Sequence, residues 1–170
     1  MNAICVLTNV MHKSIKGNVR FSIVNIDNQK KMKIDIDIEG LQPGFHGFHI
    51  HEYGDLTEGC KSLCKHFNPD NTLHGDIKDT KYNRHAGDLG NIYADKYGNA
   101  KYTIYDKLIK LSGKYNIIGR SVVIHKLEDD LGKGGKDNKG NVFDKKIHEE
   151  STRTGNAGER IACGIIGWCK

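Results

Sequence analysis

The sequence predicts an all-β protein, an antiparallel sandwich or barrel of eight short strands. Two stretches, 19–23 and 31–39, alternate polar and apolar residues one by one, which is the period of a strand with one buried face. Turn-forming residues punctuate the chain at 27–28, 42–44 and 97–99. The pattern of apolar residues predicts no amphipathic helix of normal length. Short strands separated by turn signals are typical of sandwiches and barrels.

Each predicted strand combines apolar residues with a turn or loop at its ends. A short apolar run opens the chain, and two alternating runs flank an Asp-Asn turn. Another strand begins directly after a Pro-Gly turn, and one more begins after a Tyr-Gly-Asn turn. The eight predicted strands are 3–8, 19–23, 31–39, 44–51, 90–95, 100–106, 115–124 and 160–166.

Two long loops are predicted between these strands, over 52–90 and 126–159. The first is rich in Gly, Asp, Asn and Lys and poor in β-branched runs. A structureless loop of that length inside a compact domain is uncommon unless it carries function.

Composition limits the class of protein. A chain of 170 residues with 37% hydrophobic and 28% charged residues is expected to form one domain spanning 1–170. No apolar run reaches the about 18 residues of a membrane helix, and the N-terminus lacks a secretory signal, so a cytoplasmic protein without a membrane partner is expected. The net charge of +5 is spread along the chain without interleaved aromatics, so no nucleic-acid partner is expected.

Histidines are concentrated in one part of the sequence. Six of the nine fall between His46 and Asp88, and a seventh is His125. His49 and His51 are two residues apart in a predicted strand, so their side chains point to the same face. Neutral imidazole is the commonest protein ligand of zinc and copper. The sequence therefore predicts a metal site, whose remaining ligands would order the first long loop.

These residues stand in blocks that resemble the copper/zinc superoxide dismutases, from about residue 3 to 169. The family's copper-binding signature is matched by His-Gly-Phe-His-Ile-His-Glu-Tyr-Gly-Asp at 46–55, and its second signature by Gly-Asn-Ala-Gly-Glu-Arg-Ile-Ala-Cys at 155–163. The resemblance implies an eight-stranded antiparallel Greek-key β-barrel or sandwich with a metal-binding loop and an electrostatic loop. The intervening blocks are His66-Phe-Asn-Pro69, His74-Gly75, His85-Ala-Gly-Asp-Leu-Gly90, His125 and Asp129-Asp-Leu-Gly-Lys-Gly-Gly135.

The resemblance also assigns ligands, one copper and one zinc per subunit. His66 would bridge the two metals as an imidazolate. Asp129 would accept hydrogen bonds from one ligand of each metal, His49 and His74, and His46 would be a hydrogen-bonded structural residue beneath the site. The implied copper ligands are His49, His51, His66 and His125, and the implied zinc ligands are His66, His74, His85 and Asp88.

The implied activity is dismutation of superoxide to oxygen and hydrogen peroxide through alternating reduction and oxidation of copper. His66 would carry a proton, and Arg160 would dock the anion. Two other classes remain open: a non-catalytic copper-delivery protein with a similar domain, and a metal-stabilised interaction module. A complete ligand set and the presence of Arg160 favour the enzyme.

The same resemblance implies a cysteine pairing and contacts with other proteins. Cys60 and Cys163 match the family's disulfide, whereas Cys64 and Cys169 depart from the family's pattern. A homodimer is implied, with 118–119 and 165–168 as contacts, as is metal loading by a copper chaperone.

An insertion also departs from the family, which passes almost directly from the Gly-Gly at 134–135 to Glu149. The inserted residues 136–148 carry four lysines against two aspartates. We expect a peripheral loop that is dispensable for metal binding but alters the rate, with His148 as a solvated residue. The positive charge of this loop would speed capture of superoxide, whereas Val142, Phe143 and Ile147 would slow it if they folded over the channel.

Overall fold

The computed structural model describes residues 2–7 and 14–170. Its eight strands form one antiparallel sheet in the order β5-β4-β7-β8-β1-β2-β3-β6, with crossovers between non-consecutive strands, as expected of a Greek-key barrel. The strands are β1 (Asn2–Val6), β2 (Lys16–Ile26), β3 (Gln29–Glu39), β4 (Gly44–His51), β5 (Asp88–Ala94), β6 (Ala100–Asp106), β7 (Ser121–His125) and β8 (Arg160–Cys169), with a 3₁₀ helix at Gly59–Leu63 and a helix α1 at Lys145–Thr154.

The hairpin of β2 and β3 shows how local sequence sets the register. Asp27 and Asn28 both have positive φ, 51° and 58°, and they join the pair Ile26 and Gln29 in a two-residue turn. Such turns match the twist of the strands they connect. Alternate residues of β3 then enter the core, which includes Met32, Ile34, Ile36 and Ile38.

The barrel is nearly closed between β5 and β6, the two ends of the sheet. The Tyr93 backbone N–H donates a 2.7 Å hydrogen bond to the Tyr102 hydroxyl across this gap. A side chain thereby bridges the two terminal strands where ladder hydrogen bonds are lacking.

Strands β4 and β7 position the histidines. Phe48 and Ile50 of β4 point into the core, so the alternating His49 and His51 lie on the opposite face. β7 pairs with β4 and ends at His125, where the register with β8 shifts in a bulge. Three of the predicted ligands therefore come from two neighbouring strands.

Predicted and observed strands agree closely, with one error. β4 and β6 have the predicted bounds, and of the predicted 3–8, residue 8 lies outside the described residues. The prediction of a strand over 115–124 is wrong at its start, because β7 begins only at Ser121. The preceding segment is a loop in which Ile117 is buried in the core and bonds back to the Lys110 carbonyl at 2.9 Å.

Helix α1 corrects the prediction of an unbroken loop over 126–159. Asp144 caps its first turn by accepting the Ile147 N–H at 2.9 Å, and Gly155 ends it with a left-handed φ of 72°. His148 lies in this helix, half-buried, with Nδ1 3.2 Å from the Gly134 carbonyl, so its prediction as a solvated loop residue is also wrong. The described part of the chain holds no helix long and apolar enough to cross a membrane.

Candidate metal centre

One group of four imidazoles converges between the barrel and the first long loop. Their candidate ligand atoms all lie within 4.8 Å of one another, and every member is buried. β4 supplies two rings, the loop supplies one and the end of β7 supplies one. The group comprises His49, His51, His66 and His125.

A second group shares His66 and centres on the carboxylate of Asp88. Nδ1 of His66, His74 and His85 lies 2.8, 3.0 and 3.1 Å from the same oxygen, Asp88 Oδ1. One oxygen with two lone pairs cannot accept three ordinary hydrogen bonds. Four ligands arranged tetrahedrally around zinc at its usual bond lengths would lie about 3.3 Å apart, so the observed spacing suits a cation held among them.

Unsatisfied nitrogens show where metal ions fit. Within the described structure, His49 Nδ1, His51 Nε2 and His125 Nε2 are buried without a hydrogen-bond partner. Such orphaned polar atoms are costly unless something binds them. The opposite nitrogens of His51 and His125 face the Cys64 and Gly158 carbonyls at 3.1 and 3.0 Å. These bonds orient each ring and leave the other nitrogen free for a metal.

Burial sets the protonation of the first group. Desolvation lowers the pKa of His125 to about 4 and holds the pKa values of His49 and His51 well below their usual range. These rings are therefore neutral near pH 7, the form that binds metals. His46 does not join them, because its Nδ1 and Nε2 each lie 2.8 Å from a backbone carbonyl, of His125 and of Gln42.

The second group contains a buried negative charge, the Asp88 carboxylate. Burial alone would raise the pKa of Asp88, but the imidazoles of His66, His74 and His85 that face its carboxylate hold it well below its usual range. Burial likewise opposes protonation of His74, yet Asp129 and Asp88 together raise its pKa to about 10. The shift of His74 runs opposite to those of the neutral rings because two carboxylates face it. A metal bound at His74 Nδ1 would displace the proton that the raised pKa keeps on this ring.

Asp129 links the two groups. Its carboxylate accepts hydrogen bonds from His49 Nε2 at 2.6 Å and from His74 Nε2 at 2.8 Å. Asn91 in turn clamps Asp129, since its side chain accepts from the Asp129 N–H at 2.7 Å and donates to the Asp129 carbonyl at 2.8 Å. Sequence reasoning missed Asn91, because a single asparagine in a strand carries no pattern of its own.

Helix α1 packs directly on this link. The Thr152 carbonyl accepts the His74 N–H at 2.8 Å. Gly155 lies so close to Asp129 and His74 that an added Cβ would overlap both. Asp130 holds the helix in place by accepting from the Ser151 hydroxyl at 2.6 Å. The insertion therefore leads into a helix that contacts the metal centre.

Arg84 is a second residue that sequence reasoning missed. Its side chain is buried, donates to the Asp88 carbonyl at 2.5 Å and pairs with the Asp106 carboxylate. Asp106 also accepts the backbone N–H groups of Leu108 and Ile109, each at 2.7 Å. This buried pair fixes the backbone of Asp88 to the end of β6.

Arg160 lines a cleft together with His51, His66 and His125. Its guanidinium donates to the Cys60 carbonyl at 2.6 Å and to the Cys64 carbonyl. Three backbone acceptors in all, with Lys61 at 3.3 Å, fix its direction. A fixed, charged fork at an open cleft can bind a small anion.

A disulfide links strand β8 to the loop whose backbone carbonyls bind the Arg160 guanidinium. Cys60 and Cys163 are bonded, with a sequence separation of 103 residues. The free cysteines in the described chain are Cys5, Cys64 and Cys169.

Reducing this disulfide should lower the free energy of unfolding, most visibly in protein stripped of metal. The chain-entropy model gives about 4–5 kcal/mol for a loop of this length, and bound metal would mask part of the loss. Thermal unfolding of oxidised and reduced samples measures the effect, with the Cys169→Ser variant as control. Peptide mapping that found Cys64 paired with Cys163 would contradict the connectivity.

Comparison with known proteins identifies the family. The family model described as copper/zinc superoxide dismutase matches residues 15–166. The chain belongs to the copper/zinc superoxide dismutase family. It is 52% identical over 162 residues to a Cu-Zn superoxide dismutase of Paramecium bursaria Chlorella virus 1, covering 95% of this chain and 77% of the relative.

Other relatives extend the comparison. A Cu-Zn superoxide dismutase 3 of Arabidopsis thaliana is 55% identical over 130 residues, 76% of this chain and 71% of the relative. An extracellular Cu-Zn superoxide dismutase of Brugia pahangi is 50% identical over 157 residues, which cover 92% of this chain and 73% of the relative. A crystal structure described as the clock protein EA4 superimposes with a TM-score of 0.82 at 43% identity, covering 98% of this chain and 93% of that one.

Family membership settles the class of activity. This dismutase converts superoxide to oxygen and hydrogen peroxide, and its cofactors are copper and zinc. It is an oxidoreductase with an antioxidant role.

Proposed function

We propose that the two groups of side chains divide the metals between them. The group with four imidazoles, named the copper group from here on, would hold copper, because all-nitrogen ligation with an open approach supports two oxidation states. The group with Asp88, named the zinc group, would hold zinc, which takes a closed tetrahedral site of nitrogens and a carboxylate. The position of His66 carries this proposal, because it is the one ring shared by both groups.

The reaction needs an electron carrier, an anion site and two protons for each peroxide formed. Bound copper would supply the one-electron redox couple of dismutation. Arg160 would dock superoxide in the cleft. The ring of His66, whose centroid is 4.0 Å from that of His49, would hold a proton and release it toward the departing peroxide. Asp129 would keep His49 and His74 in the orientation that directs their free nitrogens at the metals.

Replacing His66 with alanine tests the shared position. We expect weaker binding of both metals, by about tenfold or more for each, because each would lose one of four ligands. The matched variant His85→Ala should weaken zinc alone. Competition with chelators of known affinity measures both metals without an activity assay. Unchanged copper affinity in His66→Ala would contradict the bridging role.

We propose that this dismutase forms a homodimer through one exposed apolar surface. Ile165 and Trp168 on β8 are 40% and 53% exposed, and Val6 on the adjoining β1 is 56% exposed. The loop at 118–119 adjoins them, since the Gly119 N–H bonds to the Ile166 carbonyl at 2.9 Å. Apolar side chains grouped on a surface are typical of protein interfaces.

We also propose that the protein is cytoplasmic and that a copper chaperone loads its metal. The three unpaired cysteines suit a reducing compartment. Because one relative is named as extracellular, fractionation of cells that express the protein would test the location, and copper loading with and without a chaperone would test the partner.

The insertion is proposed to speed the capture of superoxide. Val142, Phe143 and Ile147 do not line the cleft, so they do not obstruct it, whereas α1 forms part of its wall. The four inserted lysines should therefore act through their charge, which salt screens over a Debye length of about 8–10 Å.

Neutralising these lysines should lower the rate without loss of metal. Changing Lys136, Lys139, Lys145 and Lys146 to glutamine should slow capture roughly twofold or more at low salt and make the salt dependence shallower. Changing Lys16, Lys30, Lys31 and Lys101 to glutamine removes the same four charges from β2, β3 and β6 and is the control for net charge. A rate that rises on neutralisation would contradict steering, and loss of zinc or copper would contradict the expectation that the insertion is dispensable for metal binding.

A further inference from the structure

Cys64 lies in the wall of the cleft that leads to the copper group. It is half-buried, follows the 3₁₀ helix and has an unpaired thiol. It lines the cleft together with His51, His125 and Arg160. Cys5, by contrast, is fully buried in the core. Cys64 is therefore the free cysteine of the described chain that lines this cleft.

The chemistry of the cleft supplies a partner for this thiol. His51 Nε2 and His125 Nε2 are buried, have no hydrogen-bond partner among the described residues and belong to side chains that line the cleft. The established reaction releases one hydrogen peroxide for every two superoxide ions consumed. Peroxide oxidises accessible cysteines to sulfenic acid and then to sulfinic acid.

We propose that Cys64 is an oxidation site for the peroxide formed in this cleft, and that its oxidation slows superoxide capture. The inference rests on the proposed copper position beside His51 and His125. The sulfur attacks one oxygen of the peroxide, the O–O bond breaks, and sulfenic acid and water form: RSH + H₂O₂ → RSOH + H₂O. Sulfur is oxidised by two electrons and peroxide is reduced, so the reaction needs no other oxidant.

Oxidation by a second peroxide molecule produces the negative charge that slows superoxide capture. It converts the sulfenic acid to sulfinic acid, RSOH + H₂O₂ → RSO₂H + H₂O, which is anionic at neutral pH. The Cys64 carbonyl already binds the Arg160 guanidinium, so the new charge forms on the residue that holds the docking arginine. A negative charge there opposes the positive potential that attracts superoxide.

Labelling during turnover tests the first half of the proposal. Metal-loaded protein receives a steady supply of superoxide, with catalase in solution to destroy escaped peroxide and dimedone to trap sulfenic acid. Cys169 is the internal control, because it is also free and half-buried but lies on β8 and does not line the cleft. We expect at least about fivefold more label on Cys64 than on Cys169. Equal label on the two cysteines would overturn the assignment.

The effect on rate is tested with Cys64→Ser, which keeps the side-chain size without the sulfur. Each protein is treated with peroxide before metal loading, then loaded and compared with its own untreated rate, so damage at bound copper does not contribute. We expect a loss of roughly twofold to fivefold in the parent and none in Cys64→Ser. Equal losses, or labelled Cys64 with an unchanged rate, would overturn the second half. Failure of the copper position would instead appear as an untreated rate that does not follow copper content.

Discussion

Replacement of His125 by alanine is expected to abolish dismutation and leave zinc bound. His125 is the one member of the copper group that comes from beyond the first long loop, and it is not a member of the zinc group. Its removal takes away one of the four proposed copper ligands and opens the buried end of β7 to the cleft. The dismutase rate should fall below about one per cent of the parent value.

The matched control for this variant is His148→Ala. His148 is half-buried in α1 and belongs to neither ligand group, so its loss should leave both metals and most of the rate. Metal content and thermal unfolding of the two variants separate a lost ligand from a lost fold. Near-full activity in His125→Ala would contradict the copper assignment.

Arg160→Glu is expected to cut the second-order rate by at least about tenfold while the copper absorption spectrum stays nearly unchanged. The inverted charge would repel superoxide from the cleft. It would also lose the three carbonyl contacts that hold the guanidinium. No metal ligand is removed, because Arg160 belongs to neither group.

Two controls distinguish docking from net charge. Arg20→Glu makes the same change of two charges on an exposed residue of β2, and it should have a small effect that salt removes. Arg160→Lys keeps the charge without the fork and should retain an intermediate rate. If Arg160→Glu came within twofold of the parent, the docking role would be refuted.

The sequence predicted the strands well where burial imposes a period of two. The alternation in β3 survives in the structure because one face of that strand packs in the core and the other faces solvent. The prediction of a strand failed over 115–120, where Ile117 enters the core from a loop, because apolar residues alone do not distinguish a strand from a buried loop.

Helix α1 escaped prediction because it buries little. Only Ser151 of its ten residues is buried, so no apolar stripe marks the helix. Its capping residues, Asp144 and Gly155, were the available signal. The helix is stabilised by contacts far along the chain, from His74 and Asp130, which a local pattern cannot show.

The metal centre was predictable to the extent that its chemistry is concentrated in histidine. The His-x-His pair indicates one face of a strand, and the blocks of the family resemblance suggested the other ligands. Asn91 and Arg84 were not predictable, because each depends on a residue far along the chain: Asn91 donates to the Asp129 carbonyl, and Arg84 pairs with the Asp106 carboxylate. Supporting residues of this kind become visible only when the chain is folded.

Metal content and dismutase rate measured on the same sample test the central claim most directly. Purified protein stripped of metal would be loaded with zinc and then titrated with copper. The account predicts one zinc and one copper bound per chain, with a rate that rises in proportion to copper and stops rising when the copper group is filled. A full rate without bound copper, or copper bound in the expected amount with no activity, would contradict it.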